Sequence, residues 1–164
     1  MFEIQDNILI KYTGNSSDVV IPNGVIEIGN DAFRSNQDLK SIVFPKTIKK
    51  IGKYAFLKCN NLEKISLNEG LEYIDDGAFK ECESLSEINL PNSITYLGYT
   101  VFYGCCSLLV VDLPKKLKEI KSEVFRKCTC LYRVIIPNSV EKIYSPDMLF
   151  YECHRLVEII NESS

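Results

Sequence analysis

The stretch Leu62-Glu63-Lys64-Ile65-Ser66-Leu67, followed by Asn68-Glu69-Gly70 and then Leu71-Glu72-Tyr73-Ile74, decides the fold, because it recurs along the chain. Ile65, Ser66 and Leu67 alternate apolar and polar, the period of a half-buried strand. Asn68-Glu69-Gly70 is a turn, and Leu71 to Ile74 is a second extended piece. Working outward in steps of 23 residues, Pro22, Pro45, Pro91, Pro114 and Pro137 share one column in which Asn68 fills the missing place. Phe33, Phe56, Phe79, Phe102 and Phe125 form another, and Leu39, Leu62, Leu85, Leu108 and Leu131 a third. Ile42, Ile65, Ile88, Val111 and Val134 follow each leucine by three positions, with Phe44, Leu67, Leu90, Leu113 and Ile136 two further on. Proline after the strand ends it, since it donates no ladder hydrogen bond. A sixth copy starts at Pro137 and gains two residues around Ser145-Pro146-Asp147, an insertion expected in a surface loop. After it Phe150, Cys153, Leu156 and Ile159 resume the pattern.

One such unit cannot bury its own apolar face, whereas stacked copies let Leu62, Ile65, Leu67, Leu71, Ile74 and Phe79 pack on their equivalents one coil away. The expected fold is therefore a repeat solenoid. The pattern L-x-x-I-x-L/I-P-x-x-I/L-x-x-I-x-x-x-A/V-F-x-x-C, seen as Leu85 through Pro91, Ile94, Leu97, Phe102 and Cys105, resembles the BspA-type leucine-rich repeat over residues 19 to 160. Departures are Asn68 for proline, Asn36 for cysteine, and Asp75, Lys121 and Tyr144 for the glycine of Gly29, Gly52 and Gly98. The resemblance implies a right-handed leucine-rich-repeat coil with a parallel β-sheet on its concave face. It also implies a surface-exposed or secreted protein of the adhesion type, whose partner is a host or cell-surface protein.

Residues 1–18 are expected to form a cap and loop, and residues 19–164 six repeats of one solenoid domain. Phe2-Glu3-Ile4-Gln5 and Ile8 to Tyr12 flank Asp6-Asn7, a two-residue turn with the chemistry of a β-hairpin. A polar loop, Thr13 to Asp18, leads into Val19-Val20-Ile21-Pro22, one period before Ile42-Val43-Phe44-Pro45. That makes seven strands in all, about 30 Å at the usual strand spacing. At the other end Val157-Glu158-Ile159-Ile160 is followed only by Asn161-Glu162-Ser163-Ser164, leaving an edge open to another chain, to further repeats or to a second copy.

The chain has 164 residues, 46% hydrophobic and 25% charged, enough for one core. A net charge of −3 argues against the basic footprint of nucleic-acid binding. No apolar run is long enough to span a membrane. The first residues, Met1 to Asp6, lack a signal peptide's positive and apolar regions, so a cytoplasmic place stays open beside the cell surface.

Of the seven cysteines, Cys59, Cys82, Cys105, Cys128 and Cys153 occupy one repeat column and read as thiols packed in the coil. Cys106 and Cys130 lie off it on adjacent coils, the best placed for a bridge or an exposed thiol. The column cysteines converge on nothing and Cys128-Thr129-Cys130 is too tight for a zinc knuckle, so no metal or cofactor is expected. Cys153 beside His154 has no third orienting residue, and no G-x-x-x-x-G-K-S/T or H-E-x-x-H occurs, so the chain does not read as an enzyme.

The outward positions of the strands form columns that carry the functional expectation. One runs Ser41, Lys64, Glu87, Val110, Arg133, Glu158, a second Val43, Ser66, Asn89, Asp112, Ile135, Ile160, and the strand-entry column Lys40, Glu63, Ser86, Leu109, Tyr132, Val157. The first half is polar at eight of nine places, whereas Leu109, Val110, Tyr132, Ile135, Val157 and Ile160 make the second half mostly apolar. With Arg133 among them, these seven residues have the composition of a protein-binding hot spot. The alternatives are a structural or self-assembling segment, pairing through Ile159-Ile160, and an intracellular scaffold. On the opposite extended face, Lys118 with Glu141 and Glu119 with Lys142 are expected to pair across coils.

Overall fold

The computed structural model describes residues 1–162; Ser163 and Ser164, the end of the expected solenoid range, lie outside the described residues. In chain order the strands are β1 (Phe2–Gln5), β2 (Ile8–Tyr12), β3 (Asp18–Val20), β4 (Glu27–Ile28), β5 (Ser41–Val43), β6 (Lys50–Ile51), β7 (Lys64–Ser66), β8 (Tyr73–Ile74), β9 (Tyr96–Leu97), β10 (Val110–Asp112), β11 (Glu119–Ile120), β12 (Arg133–Ile136), β13 (Lys142–Ile143) and β14 (Glu158–Asn161). They wind into a β-solenoid of about seven turns with two parallel-stranded faces. One face carries β3, β5, β7, β10, β12 and β14, paired with no slip of the repeat: Val19 faces Ile42, Ile42 faces Ile65, and Val111 faces Val134. The second extended piece of each unit builds the other face through β4, β6, β8 and β9, then β11 with β13.

Between the faces the repeat columns become the core. Phe33, Phe56, Phe79, Phe102 and Phe125 are all buried and stack ring on ring, with centroids 4.9 Å apart at the first step and 5.7 Å at the last. Phe150, displaced by the two-residue insertion, still continues the stack at 5.8 Å from Phe125. At the other end Phe2 and Tyr12 extend it, Tyr12 lying 5.0 Å from Phe33. Offset or parallel aromatic pairs of this kind add about 0.5 to 1.5 kcal/mol each beyond their area burial.

The hairpin forms as expected: Asp6 and Asn7 take positive φ of 49° and 62°, the pair of left-handed residues that a tight type I′ turn needs. Its second strand, β2, lies parallel to β4 and so covers the N-terminal end of the second face, with Leu9 fully buried. A bulge between Glu3 and Ile4 skips Ile10, and this brings Tyr12 onto the ring stack opposite Phe2.

Three expectations are corrected. The fourth strand, around Ile88, is reduced to a single bridge between Glu87 and Val110, so the strand face falls into two sheets, β3-β5-β7 and β10-β12-β14. The insertion after Tyr144 is a four-residue helix, α1 (Pro146–Leu149), instead of a loop. Pro146 at its first position suits a helix start, and Leu149 is buried, which anchors the turn to the core. On the second face Lys118 and Glu141 do pair at 2.7 Å, but the Glu119 carboxylate is taken by Lys121 at 2.5 Å and forms no ion pair with Lys142. Glu119 and Lys142 are register partners as expected, but Lys121, at a place where Gly29, Gly52 and Gly98 stand in other coils, brings its ammonium against Glu119 and the Tyr144 ring.

At the three coils that keep the glycine the backbones crowd, although Asp75, Lys121 and Tyr144 carry a Cβ at the equivalent place. A Cβ on Gly98 would sit 2.5 Å from the Asp76 backbone nitrogen, and one on Gly29 2.9 Å from the Leu9 carbonyl oxygen. Adjacent coils touch backbone to backbone there.

Candidate functional site

All seven expected residues lie on or immediately before β10, β12 and β14. The Tyr132 amide donates to the Leu109 carbonyl oxygen at 3.0 Å, and the Val157 amide to that of Tyr132 at 3.0 Å, so the entry column is a hydrogen-bonded ladder. Its side chains are exposed, Val157 by 79%. Val110 pairs in register with Arg133 and Arg133 with Glu158, while Asp112, Ile135 and Ile160 form the next row. Val110, Arg133 and Ile135 are only half exposed, since neighbouring strands flank them on both sides, whereas every residue of the edge strand β14 is exposed. Exposed apolar residues also occur in the first half, at Val20 and Val43, so the asymmetry between the halves is one of degree.

Beside the lapsed fourth strand the surface is concave. A groove of about 540 Å³ is lined by Glu87, Leu109, Val110, Asp112, Tyr132 and Ile135, and extends to Lys115 and Glu162, whose charged groups meet at 4.0 Å. Four of these, Leu109, Val110, Tyr132 and Ile135, belong to the expected site; Arg133, Val157 and Ile160 lie outside the lining. Lys115 and Glu162 escaped the sequence reading because they follow the strands, beyond the outward columns. The signal that could have found Lys115 is its place just after Pro114, in the column of Lys46 and Asn92. The volume falls in the range of ordinary ligand sites, with an apolar wall and a few convergent polar groups. Arg133 Nε is buried without a hydrogen-bond partner, and its guanidinium forms no ion pair with Glu158 among the described residues.

The cysteines have a different role. Sγ of Cys59, Cys82, Cys105, Cys128 and Cys153 each donates to the carbonyl oxygen of a phenylalanine of the preceding coil, at 3.0, 3.1, 3.2, 3.0 and 2.9 Å. Burial pushes the Cys59 thiol up to about 12 and the Cys153 thiol up to about 11, and holds those of Cys82, Cys105 and Cys128 high as well. A thiol raised by desolvation is a poor nucleophile at neutral pH, which removes the reason for a catalytic reading of Cys153. Cys106 and Cys130 are unbridged and half-buried; the Cys130 amide donates to the Cys106 carbonyl oxygen at 3.1 Å.

On the second face the Lys121 ammonium lies 4.4 Å from the Tyr144 ring centroid and 5.8 Å from that of Tyr96, with Glu119 against it. This contact lowers the Glu119 carboxyl and raises Lys121. The arrangement ties three coils together.

The model of the BspA type leucine rich repeat region matches in six copies over residues 3–129 and 49–164, and the chain belongs to this family. Leucine-rich repeats are generally non-catalytic modules of protein interaction. Among solved structures, a leucine-rich repeat protein of T. pallidum is 32% identical over 99% of this chain and 80% of its own, with a TM-score of 0.86. One from Bacteroides ovatus is 30% identical over 87% of this chain and 36% of its own, with a TM-score of 0.74. A leucine rich cell surface protein from Faecalibacterium prausnitzii is 31% identical over 99% of this chain and 38% of its own, with a TM-score of 0.65. The chain thus spans four fifths of the first of these proteins and little more than a third of the other two. No curated protein matches it. No helix among the described residues is long and apolar enough to cross a membrane.

Proposed function

We propose that the chain is a non-catalytic recognition module of the adhesion type, acting at the cell surface or after secretion, which binds a partner protein through the face of β10, β12 and β14. The observation that carries this reading is the adjacency of Leu109, Tyr132 and Ile135 along one groove, an aromatic and aliphatic wall bordered by charge. The surface assignment is supported by the likeness to a protein described as a cell surface protein. Binding of the purified chain to immobilised extracellular-matrix and cell-surface proteins tests it, with the double variant Tyr132→Ser and Ile135→Ser alongside. The expected result is a saturable partner lost in that variant while its melting curve stays cooperative. Equal binding by the folded variant overturns the site.

A second reading, self-assembly, is favoured by the edge strand β14, whose Ile159 and Ile160 are both exposed. Light scattering over a tenfold concentration range, with and without reductant, separates the two. A monomer throughout supports the foreign partner, and a dimer that survives reductant supports assembly through the patch and edge. A dimer that dissolves in reductant implicates Cys106 or Cys130.

A further inference from the structure

The proposed groove has a charge character of its own. Its lining holds three carboxylates, Glu87, Asp112 and Glu162, against one ammonium, Lys115, and that ammonium faces Glu162. Glu87 and Asp112 are exposed and form no ion pair among the described residues. Lys64, one coil before Glu87, and Arg133, one coil beyond Val110, flank the groove without closing on either carboxylate. The free pair lies one coil and two residues apart, on the same side as the apolar wall of Leu109, Tyr132 and Ile135.

The concavity exists because the Glu87–Leu90 segment pairs with β10 through one bridge only. From that segment to Glu162 the groove crosses four successive coils, or about 14 Å at the usual interstrand spacing, which matches four to five residues of extended chain at about 3.3 Å each. In an extended segment alternate side chains point the same way, about 6.6 Å apart. An apolar side chain on the Tyr132 wall would therefore have, two and four residues away along the same direction, side chains within reach of Asp112 and then Glu87, which lie one and two coils off. Anionic glycans and nucleic acids would meet like charge here.

We infer that the groove takes an extended segment of a partner protein in which two basic side chains, at alternate positions, stand on one side of an apolar one, the apolar side chain seated on Tyr132 and Ile135 and the basic ones paired with Asp112 and Glu87. This inference rests on the strand-face reading and adds the chemistry of the partner to it.

The probe is the peptide acetyl-Arg-Ser-Arg-Ser-Leu-amide, titrated into the isotope-labelled chain and followed by amide resonances, beside its counterpart with glutamate in both arginine positions. A five-residue ligand should bind with a Kd of about 1 mM, and high salt should weaken it several-fold, on the order of what screening of two exposed pairs predicts. Shifts should be confined to the segments 87–90, 109–113 and 132–135. The acidic peptide should leave them unmoved, and the variant Glu87→Gln with Asp112→Asn should raise the Kd by about fivefold or more, or roughly 1 kcal/mol. Equal response to both peptides, no response to the basic one at about 10 mM, or an unchanged Kd in the variant overturns the inference. Where a partner protein is in hand, loss of its binding in the Tyr132→Ser and Ile135→Ser variant but not in Glu87→Gln with Asp112→Asn leaves the strand face standing and removes only the basic segment.

Discussion

The Sγ of Cys82 donates a hydrogen bond of 3.1 Å to the carbonyl oxygen of Phe56, a residue 26 positions earlier on the coil below. The same bond recurs in every coil that has the cysteine, so each thiol adds a second hydrogen bond to a core carbonyl that already accepts from the backbone amide three residues on. It also holds the phenylalanine backbone of one coil to the turn of the next.

This ladder makes the fold sensitive to alkali. Cys59, Cys82, Cys105 and Cys128 keep their protons when folded, up to about pH 12 for Cys59, while an unfolded thiol loses its proton near 9.0. A raised folded-state pKa means that the stability is complete below the unfolded value and is lost above it, between pH 9 and about 12 for Cys59. Each buried thiol then removes about 1.4 kcal/mol per pH unit. Urea unfolding under reductant at pH 8 and again near pH 10 should show a steep loss of stability, on the order of several kcal/mol. Cys153, raised to about 11, adds a fifth thiol over this range, so Cys82→Ala should start less stable at pH 8 and fall about a fifth less steeply; an unchanged slope would contradict the assignment.

The ring stack predicts a graded response. Phe79 is fully buried between Phe56 at 5.3 Å and Phe102 at 5.9 Å, and Phe79→Ala should cost about 3 to 5 kcal/mol. Phe150, half-buried at the end of the stack, should lose clearly less on truncation, about 1 to 3 kcal/mol. Equal losses by chemical denaturation would mean that another element covers the last ring.

Gly98→Ala should destabilise by about 1 to 3 kcal/mol, because its Cβ meets the backbone of Asp76, which cannot swing aside like a side-chain tip. A melting temperature within a degree of the parent's would show that the coils can separate there.

The double variant Tyr132→Ser and Ile135→Ser removes β-favouring side chains from the outer face and leaves every buried column intact, so the loss should stay below about 2 kcal/mol with the far-ultraviolet spectrum unchanged. Collapse of the fold would show that these side chains are core.

The period, the solenoid, the core columns and the capping hairpin are legible in the sequence alone, because those follow from local rules: alternation within a strand, proline after it, and apolar residues at places that meet only when copies stack. The entry column Leu109, Tyr132 and Val157 was legible for the same reason, since register in a regular coil is arithmetic. What the tertiary structure decided are the departures from that arithmetic. The fourth strand shrinks to the Glu87 bridge although Ile88 obeys the pattern, so the groove, with Lys115 and Glu162 at its rim, is invisible to a repeat alignment. Tyr12 reaches the ring stack only because a bulge shifts the hairpin by one residue, and Glu119 turns to Lys121 because a lysine stands where three of the other coils have glycine. Periodicity specifies which residues are equivalent, but the distance between neighbouring coils at any one place depends on side chains from both, and no single copy of the repeat contains that information.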